Sequence, residues 1–106
     1  MEALAVVADP TRRQILEFLR HGEAAAGDLG DHFPISRPAV SRHLRVLRDA
    51  GLVTSRVEGQ RRIYALDARP LAELDAWLEP YRHFWAQRLD ALDTEIRRGR
   101  RERNTP

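Results

Sequence analysis

The apolar positions change spacing along the chain, and each spacing predicts a different element. Asp9-Pro10 reads as a helix start, with Asp9 as N-cap and Pro10 at the first helical position, where its missing N–H costs nothing. Ile15, Leu16, Phe18 and Leu19 then share one helical face until Gly22 ends the segment. Leu4, Val7 and Ala8 predict a short helix before it, from about Glu2. Residues 24–36 predict a weaker helix, because Gly27 and Gly30 each cost about 1 kcal/mol relative to Ala. Only packing of Leu29 and Phe33 can hold it. Ser36 caps a fourth helix over 37–50, in which Val40, Leu44 and Leu47 form a buried stripe and Gly51 provides the stop. Arg37, Ser41, Arg42, Arg45 and Arg48 fall largely outside that stripe.

The period then drops to that of strands. Residues 52–57 (LVTSRV) and 61–66 (RRIYAL) predict a hairpin joined by Glu58-Gly59-Gln60, with Arg56, Arg61 and Arg62 near its tip. From Pro70 the residues Leu71, Leu74, Leu78, Tyr81, Trp85, Leu89, Leu92 and Ile96 repeat at three and four, close to a heptad seam. A helix from Pro70 to about Arg98 would span roughly 43 Å, more than its own small domain can cover. Part of it is therefore expected to pack on a second subunit. Pro80 should kink this helix near Ala76 without breaking it. The sum is a mainly α fold with a small β-hairpin, in the order α-α-α-α-β-β-α, the layout of a winged helix-turn-helix. It occupies residues 1–96 as one domain, and the basic run 97–106 reads as an unstructured tail.

Charge sharpens this picture. The chain has 106 residues and a net charge of +2, and all 18 of its basic residues are Arg. Residues 1–36 hold three Arg and six acids, and residues 63–96 hold three Arg and seven acids. Residues 37–62 carry seven Arg against Asp49 and Glu58, and the tail carries five Arg against Glu102. A basic middle between acidic flanks is what a polyanion-binding surface requires, and guanidinium suits bidentate contact with phosphate and guanine. An ordinary solvated face is the competing reading of the same charges. The absence of Cys removes disulfides, thiolate metal sites and a cysteine nucleophile. No apolar run reaches the ~18 residues of a membrane span, so a cytoplasmic protein without membrane contact is expected.

The segments ALAVVADPTRRQILEFL, ISRPAVSRHLRVLRDAGLV and EGQRRIYAL closely resemble the ArsR/SmtB-type bacterial transcriptional regulators over residues 3–96. The chain is most similar to the cysteine-free branch that includes small autorepressors with an aromatic C-terminal helix. The resemblance implies a homodimeric repressor on a pseudo-palindromic operator in double-stranded DNA. It implies that helix 37–50 enters the major groove, that 52–66 forms the wing, and that the terminal helices form the dimer interface. The major groove admits one α-helix with an apolar back and a polar front, which is how this segment is built. Residues near such a helix's start reach bases, so Arg37, Ser41 and Arg42 are the candidate readers, with Arg45 on base or phosphate. Arg48 joins them at the contact surface, His43 at the edge of the apolar stripe takes a packing or phosphate-contact role, and Arg56, Arg61 and Arg62 follow the backbone or the minor groove. The interface set is Leu4, Val7, Leu78, Tyr81, Trp85, Leu89, Leu92 and Ile96.

Other functions find little support. There is no HExxH, no GxSxG and no phosphate-binding glycine loop, so no enzyme is expected. On the last helix only His83, with Glu79 and Gln87 a turn away, offers metal ligands, fewer than a structural site needs, so no metal and no cofactor is assigned. No effector is legible. The rival reading is a winged helix used for protein–protein contact without DNA.

Overall fold

The computed structural model describes residues 2–104, with side chains over 2–99. Its elements are α1 (Glu2–Val7), α2 (Pro10–Arg20), β1 (Ala24–Ala25), α3 (Ala26–His32), α4 (Arg37–Asp49), β2 (Val53–Glu58), β3 (Arg61–Leu66) and α5 (Leu71–Asn104). The start signals work as their chemistry requires. The Asp9 carboxylate accepts the Arg12 backbone N–H at 2.9 Å, and the Ser36 hydroxyl accepts that of Ala39 at 3.2 Å. At the other end of α4 the Gly51 N–H bonds the Arg48 carbonyl and the Leu52 N–H bonds that of Leu47. That pattern is a Schellman cap, which needs the positive φ of 77° that Gly51 adopts. It also brings Leu52 back beside Leu47, and both are fully buried.

One element departs from the expected order. Ala24 and Ala25 are not the first turn of a helix but a short strand on the edge of the hairpin, pairing with Tyr64 and Ile63. The sheet therefore has three antiparallel strands, ordered β1-β3-β2. Two small residues have no periodicity to reveal them, and what makes them a strand is the otherwise open edge of β3. α3 then starts one residue later, without a side-chain cap. The hairpin is also tighter than expected. Glu58 pairs with Arg61, leaving a two-residue turn with Gly59 at φ 64°. Leu52 lies outside the strand because it belongs to the helix cap.

The contacts divide the chain into one unit reaching Leu74 and another from Asp75, inside the 1–96 segment expected to be a single domain. The first unit holds the whole core. Ile15, Leu16 and Leu19 of α2, Leu29 and Phe33, the α4 stripe of Val40, Leu44 and Leu47, and Val53 and Tyr64 of the sheet are all buried together, with Ala3 and Val6 of α1. α1 is secured at its end by two guanidinium groups. Arg12 Nε donates to the Val6 carbonyl at 2.7 Å, and Arg13 Nη1 donates to those of Val7 and Ala8 at 2.8 and 3.1 Å.

The second unit is the continuation of α5, a helix of 34 residues in all, roughly 50 Å at 1.5 Å per residue. Pro80 does not break it. Its missing N–H removes the bond to the Ala76 carbonyl, and beside that gap Arg82 Nη2 donates to the Asp75 carbonyl at 2.7 Å while pairing with its carboxylate. The helix also runs on to Asn104, so residues 97–104 are helical where an unstructured tail was expected; Arg97 is braced by Asp93 one turn earlier at 3.1 Å. The last two residues of that segment lie outside the described ones. No helix among the described residues is long and apolar enough to cross a membrane.

Candidate nucleic-acid interface

α4 is two-sided. Its apolar stripe is anchored in the core, with Leu47 fully buried and Val40 and Leu44 each 3% exposed. The opposite side carries Arg37, Ser41, Arg42, Arg45 and Arg48, all exposed. Burial of the stripe fixes the helix about its axis, because rotating it would expose three aliphatic side chains at roughly 1.5–3 kcal/mol each. The arginines are thus presented by packing on the far side of their own helix. Arg42, Arg45 and Arg48 have no ion pair or hydrogen-bonded side-chain partner among the described residues. Arg37 differs: its Nη2 donates to Asp31 of α3 at 2.9 Å.

His43 stands at the edge of this surface. It is half-buried and turned toward the start of α2, its Nδ1 lying 3.5 Å from Arg12 Nη1 and 3.9 Å from Asp9 Oδ2. Its place on the helix, one residue before Leu44, put it at the edge of the stripe, and the structure shows what occupies that edge. The Asp9 carboxyl is held below the usual carboxylate range, first by the Arg12 backbone N–H and then by the nearby positive charges.

The hairpin presents Arg61 and Arg62 directly after its turn, with Arg56 two residues before Glu58. Arg62 Nη1 reaches the Ser55 hydroxyl at 3.5 Å. The other two are held by acids. Arg61 lies 3.7 Å from Asp28 of α3. Arg56 makes a two-pronged contact with Glu23, both oxygens at 2.7 Å, and a third with Glu58 at 3.1 Å. These contacts lower the Glu23 carboxyl below its ordinary range and raise Arg56. Glu23, Asp28 and Asp31 are partners of these arginines that the sequence does not reveal. The only available signal was the excess of acids in 1–36 beside the excess of Arg in 37–62, and nothing local links Glu23 to a residue 33 positions away.

The candidate interface residues of α5 form an unpartnered apolar row. Tyr81, Trp85, Leu89, Leu92 and Ile96 are between 47% and 64% exposed, and Trp77 and Phe84 beside them are 46% and 51% exposed. Leu78 is half-buried. In α1, Leu4 is exposed, whereas Val7 packs partly against the core of its own unit. The Trp77 and Tyr81 rings lie 5.1 Å apart, and the Arg88 guanidinium sits 4.5 Å over the Phe84 ring. His83 has Gln87 beside it, at 3.5 Å, and no group of three His, Asp or Glu side chains among the described residues could hold a metal ion.

Comparison with known proteins fits this geometry. The model of the bacterial regulatory protein arsR family matches residues 9–55, which run from the N-cap of α2 into β2. The HTH-type transcriptional regulator Rv2034 of Mycobacterium tuberculosis is 48% identical over 87 residues, covering 82% of this chain and 78% of the relative. The transcriptional repressor SdpR of Bacillus subtilis is 39% identical over 72 residues, covering 68% of this chain and 80% of the relative. A solved structure described as a possible transcriptional regulator for arsenical resistance superposes with a TM-score of 0.69 at 45% identity, over 90% of this chain and 96% of that one. A winged helix with a buried-back, basic-front fourth helix, and relatives that are transcriptional regulators rather than enzymes, lead to one conclusion: the chain belongs to the arsR family of bacterial regulatory proteins and is a transcriptional regulator.

Proposed function

We propose that the protein is a sequence-specific repressor in the cytoplasm, which binds a pseudo-palindromic operator in double-stranded DNA as a homodimer. The observation that carries this reading is the trio Arg42, Arg45 and Arg48, without an ion-pair partner among the described residues and aimed outward by the buried stripe of the same helix. α4 enters the major groove, where Ser41 and Arg42 read base edges, Arg45 reaches base or phosphate and Arg48 takes phosphate. The wing follows the backbone or the adjacent minor groove through Arg62, with Arg56 and Arg61 recruited from their acids. His43 serves this surface indirectly, by seating α4 against Asp9 and Arg12. The exposed row on α5, joined by Leu4, supplies the interface between protomers, since a contiguous apolar stripe of this kind is not left in water.

The rival, a winged helix that binds only protein, makes the opposite prediction about salt. Operator affinity measured by fluorescence anisotropy should fall with a log–log slope of about −0.9 per phosphate neutralised. Two phosphate contacts from each of two protomers, Arg48 with Arg45 or Arg62, give a slope of about −4 or steeper. An affinity for duplex that ignores salt would leave the protein-binding reading in place instead.

A further inference from the structure

Six of the seven arginines of residues 37–62 fall into two sets that their positions in the sequence do not distinguish, and the seventh, Arg62, reaches the Ser55 hydroxyl. Arg42, Arg45 and Arg48 are open, whereas Arg37, Arg56 and Arg61 are each claimed by an acid from the segment 23–31. The firmest of these pairs is built into the sheet. Ala25, Ile63 and Arg56 form one row across β1, β3 and β2, and Glu23 immediately precedes β1. The Arg56 side chain thus crosses the buried Ile63 to meet a carboxylate on the far side of the central strand. Backbone pairing of β1 fixes where that carboxylate stands.

We propose that Glu23, seconded by Asp28 and Asp31, is a built-in counter-ion of the DNA surface, which phosphate must displace and which thereby limits how tightly the protein holds DNA of any sequence. The proposal rests on the DNA-binding reading above. A carboxylate and a phosphate ask the same thing of a guanidinium, two parallel N–H donors and a negative charge. Moving Arg56 from Glu23 to a phosphate therefore gains one such contact and gives up another. Arg42, Arg45 and Arg48 surrender nothing when they bind, so they supply most of the attraction, and the wing acts as a weaker, exchangeable clamp. Salt loosens the Glu23–Arg56 pair as it loosens DNA contacts, so the restraint is strongest at low ionic strength.

The test compares the full-length protein with Glu23→Gln, Asp31→Asn and the control Glu17→Gln on a random-sequence duplex. Glu17 pairs with Arg20 and His21, outside the candidate surface, so its substitution changes net charge equally without freeing an interface arginine. At about 50 mM salt Glu23→Gln should bind about two- to fivefold more tightly, the range expected for releasing an exposed pair. Asp31→Asn should gain less, and the gain of both should shrink toward about 200 mM salt. Glu17→Gln should match the unsubstituted protein. If Glu23→Gln and Asp31→Asn bind no better, or worse, the acids position the arginines rather than restrain them and the proposal is overturned. An equal gain in Glu17→Gln would assign the effect to net charge and overturn it too. An unsubstituted protein that fails to bind duplex at low salt would refute the underlying DNA-binding reading instead.

Discussion

Ending the chain after Glu79 should abolish dimers and operator binding together. The truncation removes Tyr81, Phe84, Trp85, Leu89, Leu92 and Ile96, the greater part of the exposed apolar row on α5. It leaves the first unit intact, because every buried core residue lies at or before Tyr64 and only Leu66 and Leu71 are added to that core from later positions. The truncated chain should therefore keep a cooperative thermal transition while sedimenting as a monomer. The loss of DNA binding follows from arithmetic rather than from any lost contact to DNA. Two tethered modules engage a two-part site with an effective concentration in the millimolar range, and separating them forfeits roughly 10²–10⁴ in affinity. Trp85→Glu in the full-length chain should have the same effect by placing a charge within the row. A truncated or substituted protein that remained dimeric would remove α5 from the interface.

Replacing Arg42 by Ala should cost about 1–3 kcal/mol on the operator, roughly five- to 150-fold in affinity, and clearly less on random duplex. Arg42 is exposed, lies in the first half of α4 and has no partner to release among the described residues, so its loss is felt where it meets DNA. Arg48→Ala, in the last turn, should instead weaken binding to both duplexes alike, as a phosphate contact does. Anisotropy titrations on the two duplexes separate these outcomes. Equal losses for Arg42→Ala on both would move it from base reading to backbone contact.

What the sequence disclosed and what it concealed follow from the range of the forces involved. Caps act within three residues, so Asp9, Ser36 and Gly51 marked the ends of α2 and α4 to within a residue. The α4 stripe was legible because burial imposes a helical period on Val40, Leu44 and Leu47. The direction of Arg42, Arg45 and Arg48 followed from it by exclusion. β1 was not legible, because a two-residue strand is made by the edge it joins, about 40 positions later. The pairing of Arg37, Arg56 and Arg61 was hidden for the same reason, since their acids come from segments brought near by the fold. His43 shows the limit of helical geometry. Its place on the wheel could be read, but not that Asp9 and Arg12 would stand opposite it. Residues 97–104 are helical because their helix is already nucleated upstream, whereas a run of arginines taken alone reads as a solvated tail.

Hydroxyl-radical footprinting of the full-length protein across fragments of its source genome bears most directly on the whole account. Two copies of α4 related by a twofold axis should protect paired half-sites about 34 Å apart, one duplex turn, or a multiple of it, with inverted sequence symmetry between them. The same protection should vanish with Arg42→Ala at matched concentration. Protection of a single unrepeated half-site, or none at low salt from a protein shown to be folded, would contradict the claim that paired arginine-bearing helices are what this protein brings to DNA.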